Sequence, residues 1–192
     1  MSYEIYWRID VWNSTNQNGI NEFAKQIEAA MEVGTTRVDF VGQKILCLDR
    51  LHFNQSVIDW DNDHPHDDRI WNYYGTSKLH RMFVKRFDVV STKGYLNLFV
   101  RGFGVPFLMW HDLAKKFGIV IVCRYFDEFG EYLGMQVCDE DNYDIIEEVL
   151  TNERLSVRQR INQINLKLQI KHPNWKPYLE KVKASYIHLT SK

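Results

Sequence analysis

The sequence predicts an α+β fold built on one antiparallel sheet, and three neighbouring segments carry this prediction. Residues 82–90 and 95–101 are apolar-rich runs joined by Ser-Thr-Lys-Gly, which is the pattern of a β-hairpin. Pro106 then stands at the first position of a helix whose apolar residues recur at helical spacing as far as Phe117. Residues 119–126 are almost all apolar, as expected of a strand buried on both faces, and residues 132–137 form a further strand after a turn.

The N-terminal segment supplies the other half of the predicted frame. Residues 3–11 alternate between two faces, and a helix follows over residues 20–31 with Gly34 as its stop. Strand-like runs at 38–41 and 44–48 lead into residues 54–74, where the pattern is lost, so we interpret residues 35–74 as an insertion. The order β-α-insert-β-β-α-β-β predicts a ferredoxin-like antiparallel sheet with two helices on one face.

Residues 139–192 are predicted to form a C-terminal helical extension of a domain that spans residues 1–138. One helix is expected near residues 145–150, a second capped by Ser156, and a short third opened by Pro177. The second helix carries apolar residues at near-heptad spacing: Val157, Ile161, Ile164 and Leu168. We predict that this stripe packs partly across a homodimer interface, with packing on the chain's own domain as the alternative.

Composition excludes several classes of protein. Apolar residues make up 45% of the chain and aromatic residues 14%, which excludes a largely disordered chain. No apolar run is long enough to span a bilayer, and the first residues lack the pattern of a signal peptide. Cys47, Cys123 and Cys138 form no Cys-x-x-Cys pair, so we expect free thiols in a cytoplasmic protein without a membrane partner.

The charges are unevenly distributed along the chain. Residues 1–150 carry 15 Lys and Arg against 23 Asp and Glu, a net −8, whereas residues 151–192 carry 9 against 2, a net +7. No Lys or Arg occurs between Arg124 and Arg154. Carboxylates there could steer a basic protein partner, with a solvated face or pairing with the basic tail as alternatives. The candidate partner-binding residues are Asp139, Glu140, Asp141, Asp144, Glu147 and Glu148.

The predicted sheet offers a second candidate site. RNA-recognition domains share the β-α-β-β-α-β order and stack bases on aromatic residues of their first and third strands. Here Tyr6, Tyr95 and Phe99 face away from the two helices, and Arg158, Arg160, Lys167 and Lys171 could track phosphates. Asn97 replaces a stacking aromatic and the net −8 opposes phosphate, so we favour the interpretation that the C-terminal helices cover these aromatics.

A loop at residues 59–68 is the third candidate. His64 and His66 have the spacing of two metal ligands on an extended segment, and five aspartates surround them. A metal-dependent enzyme is therefore an alternative, although the spacing defines no third ligand and a solvated loop is the favoured interpretation. The other histidines are scattered without a nucleophile in register, so we expect no catalytic residues, no metal and no cofactor.

Three short motifs carry a family resemblance. They are Tyr-Gly-Thr-Ser-Lys at residues 74–78, the neighbourhood of Pro106 and Trp110, and the turn at residues 125–134. With the order of elements over residues 1–138, the chain resembles the YubB-like ferredoxin-like domain family of plasmid and phage accessory proteins. The resemblance implies the fold and a mobile-element context but no chemistry, since the family has no established activity.

The resemblance and the acidic residues together give the first functional hypothesis. We expect a non-catalytic protein of a phage or plasmid whose acidic surface occupies a basic groove of a host protein. An inhibitor of a nucleic-acid-binding defence enzyme, such as an anti-CRISPR protein, fits this expectation. The nucleic-acid-binding module and the metal-dependent enzyme are the two alternatives.

Overall fold

The computed structural model of the protein describes residues 4–33, 42–51, 81–102, 107–127, 132–149 and 155–182. Within these ranges the strands are β1 (Ile5–Asn13), β2 (Met31–Val33), β3 (Lys44–Cys47), β4 (Arg81–Val90), β5 (Tyr95–Gly102), β6 (Ile119–Asp127), β7 (Tyr132–Cys138) and β8 (Tyr143–Val149). The helices are α1 (Gly19–Ala29), α2 (Phe107–Phe117), α3 (Val157–Lys171) and α4 (Lys176–Leu179). None of these described helices is long and apolar enough to cross a membrane.

The eight strands form one sheet in the order β2-β3-β4-β5-β1-β6-β7-β8, and every neighbouring pair is antiparallel. The predicted α+β class and antiparallel sheet are therefore confirmed. The sheet is larger than the predicted one. Strands β2 and β3 extend it beyond β4, and β8 extends it beyond β7.

Residues 143–149 form an edge strand, so the prediction of a helix there was wrong. The side chain of Asp139 accepts hydrogen bonds from the backbone N–H groups of Asp141 and Asn142 at 2.9 and 2.8 Å, which closes a tight turn after β7. The next residues then pair with the free edge of β7, from Tyr143 opposite Cys138 to Val149 opposite Tyr132. Paired isoleucines and a valine favour a strand once an unpaired edge is available.

Helices α1 and α2 pack on one side of the sheet, which we call the first face. Their buried side chains, Phe23 on α1 and Trp110 on α2 among them, join Trp7, Ile9 and Val11 of β1 in one apolar core. Alternation along the strands sends the neighbouring residues to the opposite side, the second face. The second face therefore carries Tyr6, Arg8, Asp10 and Trp12 from β1.

Helices α3 and α4 cover part of the second face. Ser156 caps α3 as predicted, because its side chain accepts a hydrogen bond from the backbone N–H of Gln159 at 3.3 Å. Ile161, Ile164 and Leu168 are at most 8% exposed and pack on residues of β6 and β7. Three of the four residues of the predicted stripe are thus buried within their own chain, whereas Val157 is 37% exposed. The alternative of packing on the chain's own domain holds for these three residues, and the homodimer stays a prediction.

Candidate functional site

Basic side chains of α3 neutralise two of the candidate partner-binding residues, Asp144 and Glu148. Asp144 lies 2.6 Å from Nζ of Lys171 and 2.7 Å from Nε2 of His172, and Glu148 accepts a hydrogen bond from Nζ of Lys167 at 2.9 Å. Partial burial alone would raise the pKa of Asp144, but the hydrogen bonds from Lys171 and His172 lower it below its ordinary value. These contacts attach α3 to β8.

Three further acidic residues also contact their own chain. Asp139 accepts a hydrogen bond from the indole N–H of Trp175 at 2.6 Å, and Glu140 accepts one from the Thr15 hydroxyl at 2.8 Å. Glu147 accepts hydrogen bonds from the hydroxyls of Tyr125 and Tyr132, whose pKa values are raised by burial and by these bonds. The structure thus pairs five of the six candidate partner-binding residues with the chain itself. The role of this acidic interval, residues 139–148, in partner binding stays a prediction.

A buried polar network occupies the middle of the second face. The carboxylate of Asp10 lies 2.6 Å from a guanidinium nitrogen of Arg124, and it accepts hydrogen bonds from Asn97 at 2.8 Å and from the Tyr95 hydroxyl at 2.6 Å. Asp10 and Arg124 are each only 3% exposed. Burial lowers the pKa of Arg124, although Asp10 opposes that shift. The network holds β5, β1 and β6 together through their side chains.

Tyr95 belongs to this network, which limits the stacking role that the sequence predicted for it. Burial and the hydrogen bond to Asp10 raise the pKa of Tyr95 to about 12. Its ring packs against Trp12, with ring centroids 5.5 Å apart and planes tilted by 40°. The hydroxyl and the ring of Tyr95 therefore both already contact other residues of the protein.

Tyr6 and Phe99 form a different arrangement farther along the same face. The register of β1 and β5 places Tyr6 opposite Arg101 and Arg8 opposite Phe99. Two aromatic rings and two guanidinium groups therefore alternate on adjacent strands, and we call these four residues the aromatic–arginine platform. All four are partly exposed.

The rings of the platform are held in a stack. The Tyr6 and Phe99 centroids are 6.4 Å apart with planes inclined by 27°, and Tyr6 also stacks on the buried ring of Phe126 at 5.2 Å and 11°. Arg101 contacts the Glu4 carboxylate at 3.2 Å and lies 5.1 Å from the Phe83 ring. These contacts orient Tyr6, Phe99 and Arg101.

The structure separates the predicted nucleic-acid residues. Tyr6 and Phe99 lie together, whereas Arg160 and Lys167 contact Glu148, and Lys171 contacts Asp144. Arg158 lies on the exposed side of α3. Sequence reasoning missed Arg8 and Arg101 as platform residues, although alternation alone places both on the face of Tyr6 and Phe99.

The predicted metal loop at residues 59–68, with His64 and His66, lies outside the described residues. Among the residues that the structure does describe, no group of three His, Cys, Asp or Glu side chains is placed to hold a metal ion.

The cysteines Cys47, Cys123 and Cys138 are buried free thiols, and burial raises the pKa of Cys123 and Cys138.

No family model matches the chain, and neither a curated protein nor a solved structure shows significant similarity to it. The resemblance to the YubB-like family stays a prediction. Of its motifs, residues 74–78 and Pro106 lie outside the described residues, and Trp110 is a buried core residue of α2. The candidate site is therefore argued from the geometry of this chain.

Proposed function

We propose that this chain is a non-catalytic binding protein that holds single-stranded nucleic acid on its aromatic–arginine platform. The observation that carries the proposal is the alternation of Tyr6, Arg101, Phe99 and Arg8 on two adjacent strands. Unpaired bases stack on aromatic rings and on guanidinium planes, and the same guanidinium groups attract phosphates. A partly exposed sheet surface that offers both groups suits a strand whose bases are splayed out.

The position of the platform within the sheet supports the same proposal. Strands β4, β5, β1 and β6 are consecutive in the sheet, and α1 and α2 pack on the face opposite the platform. We propose that these four strands and two helices form a ferredoxin-like unit, in which β1 and β5 are the two central strands. RNA-recognition domains stack bases on their corresponding strands.

The net charge of −8 over residues 1–150 overstates the negative charge near the platform, because several of its carboxylates are paired with cations. The carboxylate of Asp10 is compensated by Arg124 within the buried network. Asp144 and Glu148 on the sheet edge are compensated by cations of α3. Phosphates on the platform would therefore meet guanidinium groups with few uncompensated acids nearby, and at Arg101 a phosphate would share the guanidinium with the Glu4 carboxylate.

A basic host protein as the partner of the acidic interval, in the manner of an anti-CRISPR inhibitor, remains the sequence-based alternative proposal. Reversing Asp141, Asp144 and Glu148 to lysine would test this alternative only if the fold stayed unchanged. Because Asp144 and Glu148 hold α3, those reversals should loosen α3. Asp141 is exposed, so Asp141→Lys alone is the cleaner test of that alternative.

Fluorescence anisotropy with a labelled oligouridine of about ten nucleotides tests the platform at low salt. We expect Phe99→Ala to weaken binding about 5- to 150-fold, the effect of losing one stacked base. Arg101→Gln should lower affinity and reduce the slope of log K against log salt by about one. Tyr143→Ala is the matched control, because Tyr143 is 46% exposed on the first face of β8.

Two results would contradict the proposal. One is the absence of binding by the unaltered protein at low salt. The other is equal affinity of Phe99→Ala and Tyr143→Ala, because a site on the second face requires the two substitutions to differ. Near-ultraviolet circular dichroism checks that both variants keep the native fold.

A further inference from the structure

A separate cleft lies at the opposite end of β1 from Tyr6. Its volume is about 480 Å³, which falls within the range of about 300–1,000 Å³ usual for small-molecule pockets. Trp12, Thr92, Lys93, Gly94, Tyr178 and Lys181 line it. Trp12 is four residues from Arg8 and six from Tyr6 on one strand, so the cleft is about 13–20 Å from the platform residues of β1.

Local hydrogen bonds shape one wall of the cleft. The side chain of Asn13 donates to the Gln17 carbonyl at 2.7 Å and accepts from the backbone N–H of Ile20 at 2.8 Å. Gly94 has a φ of +54°, and a Cβ there would lie 2.8 Å from Nδ2 of Asn13. Glycine therefore allows the β4–β5 turn to close against Asn13. The wall is formed before a ligand binds, which lowers the entropic penalty of binding.

The lining combines positive charge with aromatic rings. Lys93 comes from the β4–β5 turn and Lys181 from the residues after α4, and none of the described lining residues is acidic. Nζ of Lys181 lies 5.7 Å from the ring centroid of Tyr178, which in turn packs on Trp12 at 5.8 Å. A concave site with two ammonium groups and no described carboxylate in its lining attracts anions.

We propose that this cleft binds a nucleoside phosphate, with the base against Tyr178 and the phosphate between Lys93 and Lys181. The base of such a ligand would contact the aromatic wall, and its phosphate would be attracted by the two lysine ammonium groups. The ligand is either a free mononucleotide or the phosphorylated terminal nucleotide of a strand. The proposal does not depend on the platform, because the two sites share no residue.

Isothermal titration calorimetry with adenosine 5′-monophosphate, adenosine and inorganic phosphate tests the cleft. We expect the monophosphate to bind more tightly than either of its two parts. The double variant Lys93→Gln/Lys181→Gln should weaken its binding about tenfold or more, the effect of lost charged hydrogen bonds, and should leave adenosine unchanged. Tyr178→Leu should weaken the binding of both adenosine and adenosine 5′-monophosphate. Lys115→Gln is the control, because Lys115 is exposed on α2 at the first face.

No binding of the monophosphate, or equal binding by the double variant and Lys115→Gln, would overturn the proposal. Equal affinity for inorganic phosphate and for the monophosphate would show that the base does not contribute to binding, which overturns its proposed contact with Tyr178. Competition by oligonucleotides shows whether the ligand is a free mononucleotide or the end of a strand. A site for a strand end should bind the 5′-phosphorylated oligonucleotide more tightly than the 5′-hydroxyl one, whereas a site for free mononucleotides should bind neither. Phe99→Ala should leave binding of the monophosphate unchanged, so a failure of the platform and a failure of the cleft are separable.

Discussion

Removing the carboxylate of Asp10 should be among the most destabilising single changes on the second face. In Asp10→Ala the guanidinium of Arg124, only 3% exposed, would keep its positive charge without the partner now 2.6 Å away. Breaking a buried ion pair in this way lowers the free energy of unfolding by about 3–5 kcal/mol. Tyr95 would also lose its acceptor and Asn97 would keep only its 3.3 Å bond to the Ile9 carbonyl, which places the effect at the upper end of that range.

Asp88→Ala is a matched control for Asp10→Ala. Asp88 lies opposite Asn97 in the sheet and pairs with Arg86, but both side chains are exposed, by 42% and 66%. Exposed pairs contribute about 0–1 kcal/mol, so this variant should remain close to the unaltered protein. The double variant Asp10→Asn/Arg124→Met removes both charges and should recover much of the stability lost in Asp10→Ala.

Urea unfolding followed by circular dichroism measures these differences. For a chain of this length, a loss of about 3–5 kcal/mol corresponds to a fall in Tm of about 6–20 °C. Equal stability of Asp10→Ala and Asp88→Ala would refute the reasoning, because Asp10 is buried and accepts two further hydrogen bonds, whereas the Asp88–Arg86 pair is exposed. Failure of the double variant to recover stability would show that Arg124 is not the uncompensated group.

Three further predictions concern other contacts. Gly134→Ala should destabilise the protein by about 1–3 kcal/mol in urea unfolding, since its Cβ would lie 2.3 Å from the fully buried Tyr125 ring; no loss would contradict that packing. Because the pKa of Asp144 is lowered in the folded state, its stabilisation should be lost as the pH falls through and below its ordinary value of 3.8. Unfolding measured against pH should show this loss, whereas Asp144→Asn should not. The pKa of Tyr95 is raised, so its stabilisation should be complete below pH 10.0 and lost as the pH rises towards about 12. Absorbance titration should show one late-ionising phenol fewer in Tyr95→Phe, and an unchanged curve would contradict the assignment.

The central strands were predictable because their patterns admit one structure. Trp7, Ile9 and Val11 alternate with polar residues, and each is fully buried on the first face. The apolar run of β6 lies between β1 and β7 and is buried on both faces, as predicted. In these segments the period of the sequence and the burial in the structure report the same physical constraint.

β8 was mispredicted because its pattern is ambiguous. Ile145, Ile146 and Val149 fit one stripe of a helix, and in the structure they occupy both faces of a strand. What decides between the two is the free edge of β7 and the turn at Asp139, which are tertiary features that a short apolar pattern does not contain.

The platform could be predicted only in part. Alternation places Tyr6 and Phe99 on the correct face, but the net charge of residues 1–150 does not predict that Arg8 and Arg101 lie beside them. A summed charge does not reveal which acids are neutralised by a distant segment, and here α3 neutralises Asp144 and Glu148. The pairing of β1 with β5, which juxtaposes the rings and the guanidinium groups, requires the register.

Photo-crosslinking of the full chain to a 4-thiouridine-containing single strand, followed by mass spectrometry of the peptides, tests the proposed function most directly. The account predicts crosslinks on the β1 and β5 peptides that contain Tyr6 and Phe99, since the bases would stack on these rings. Crosslinks confined to α1 and α2 on the first face, or none at low salt, would contradict it.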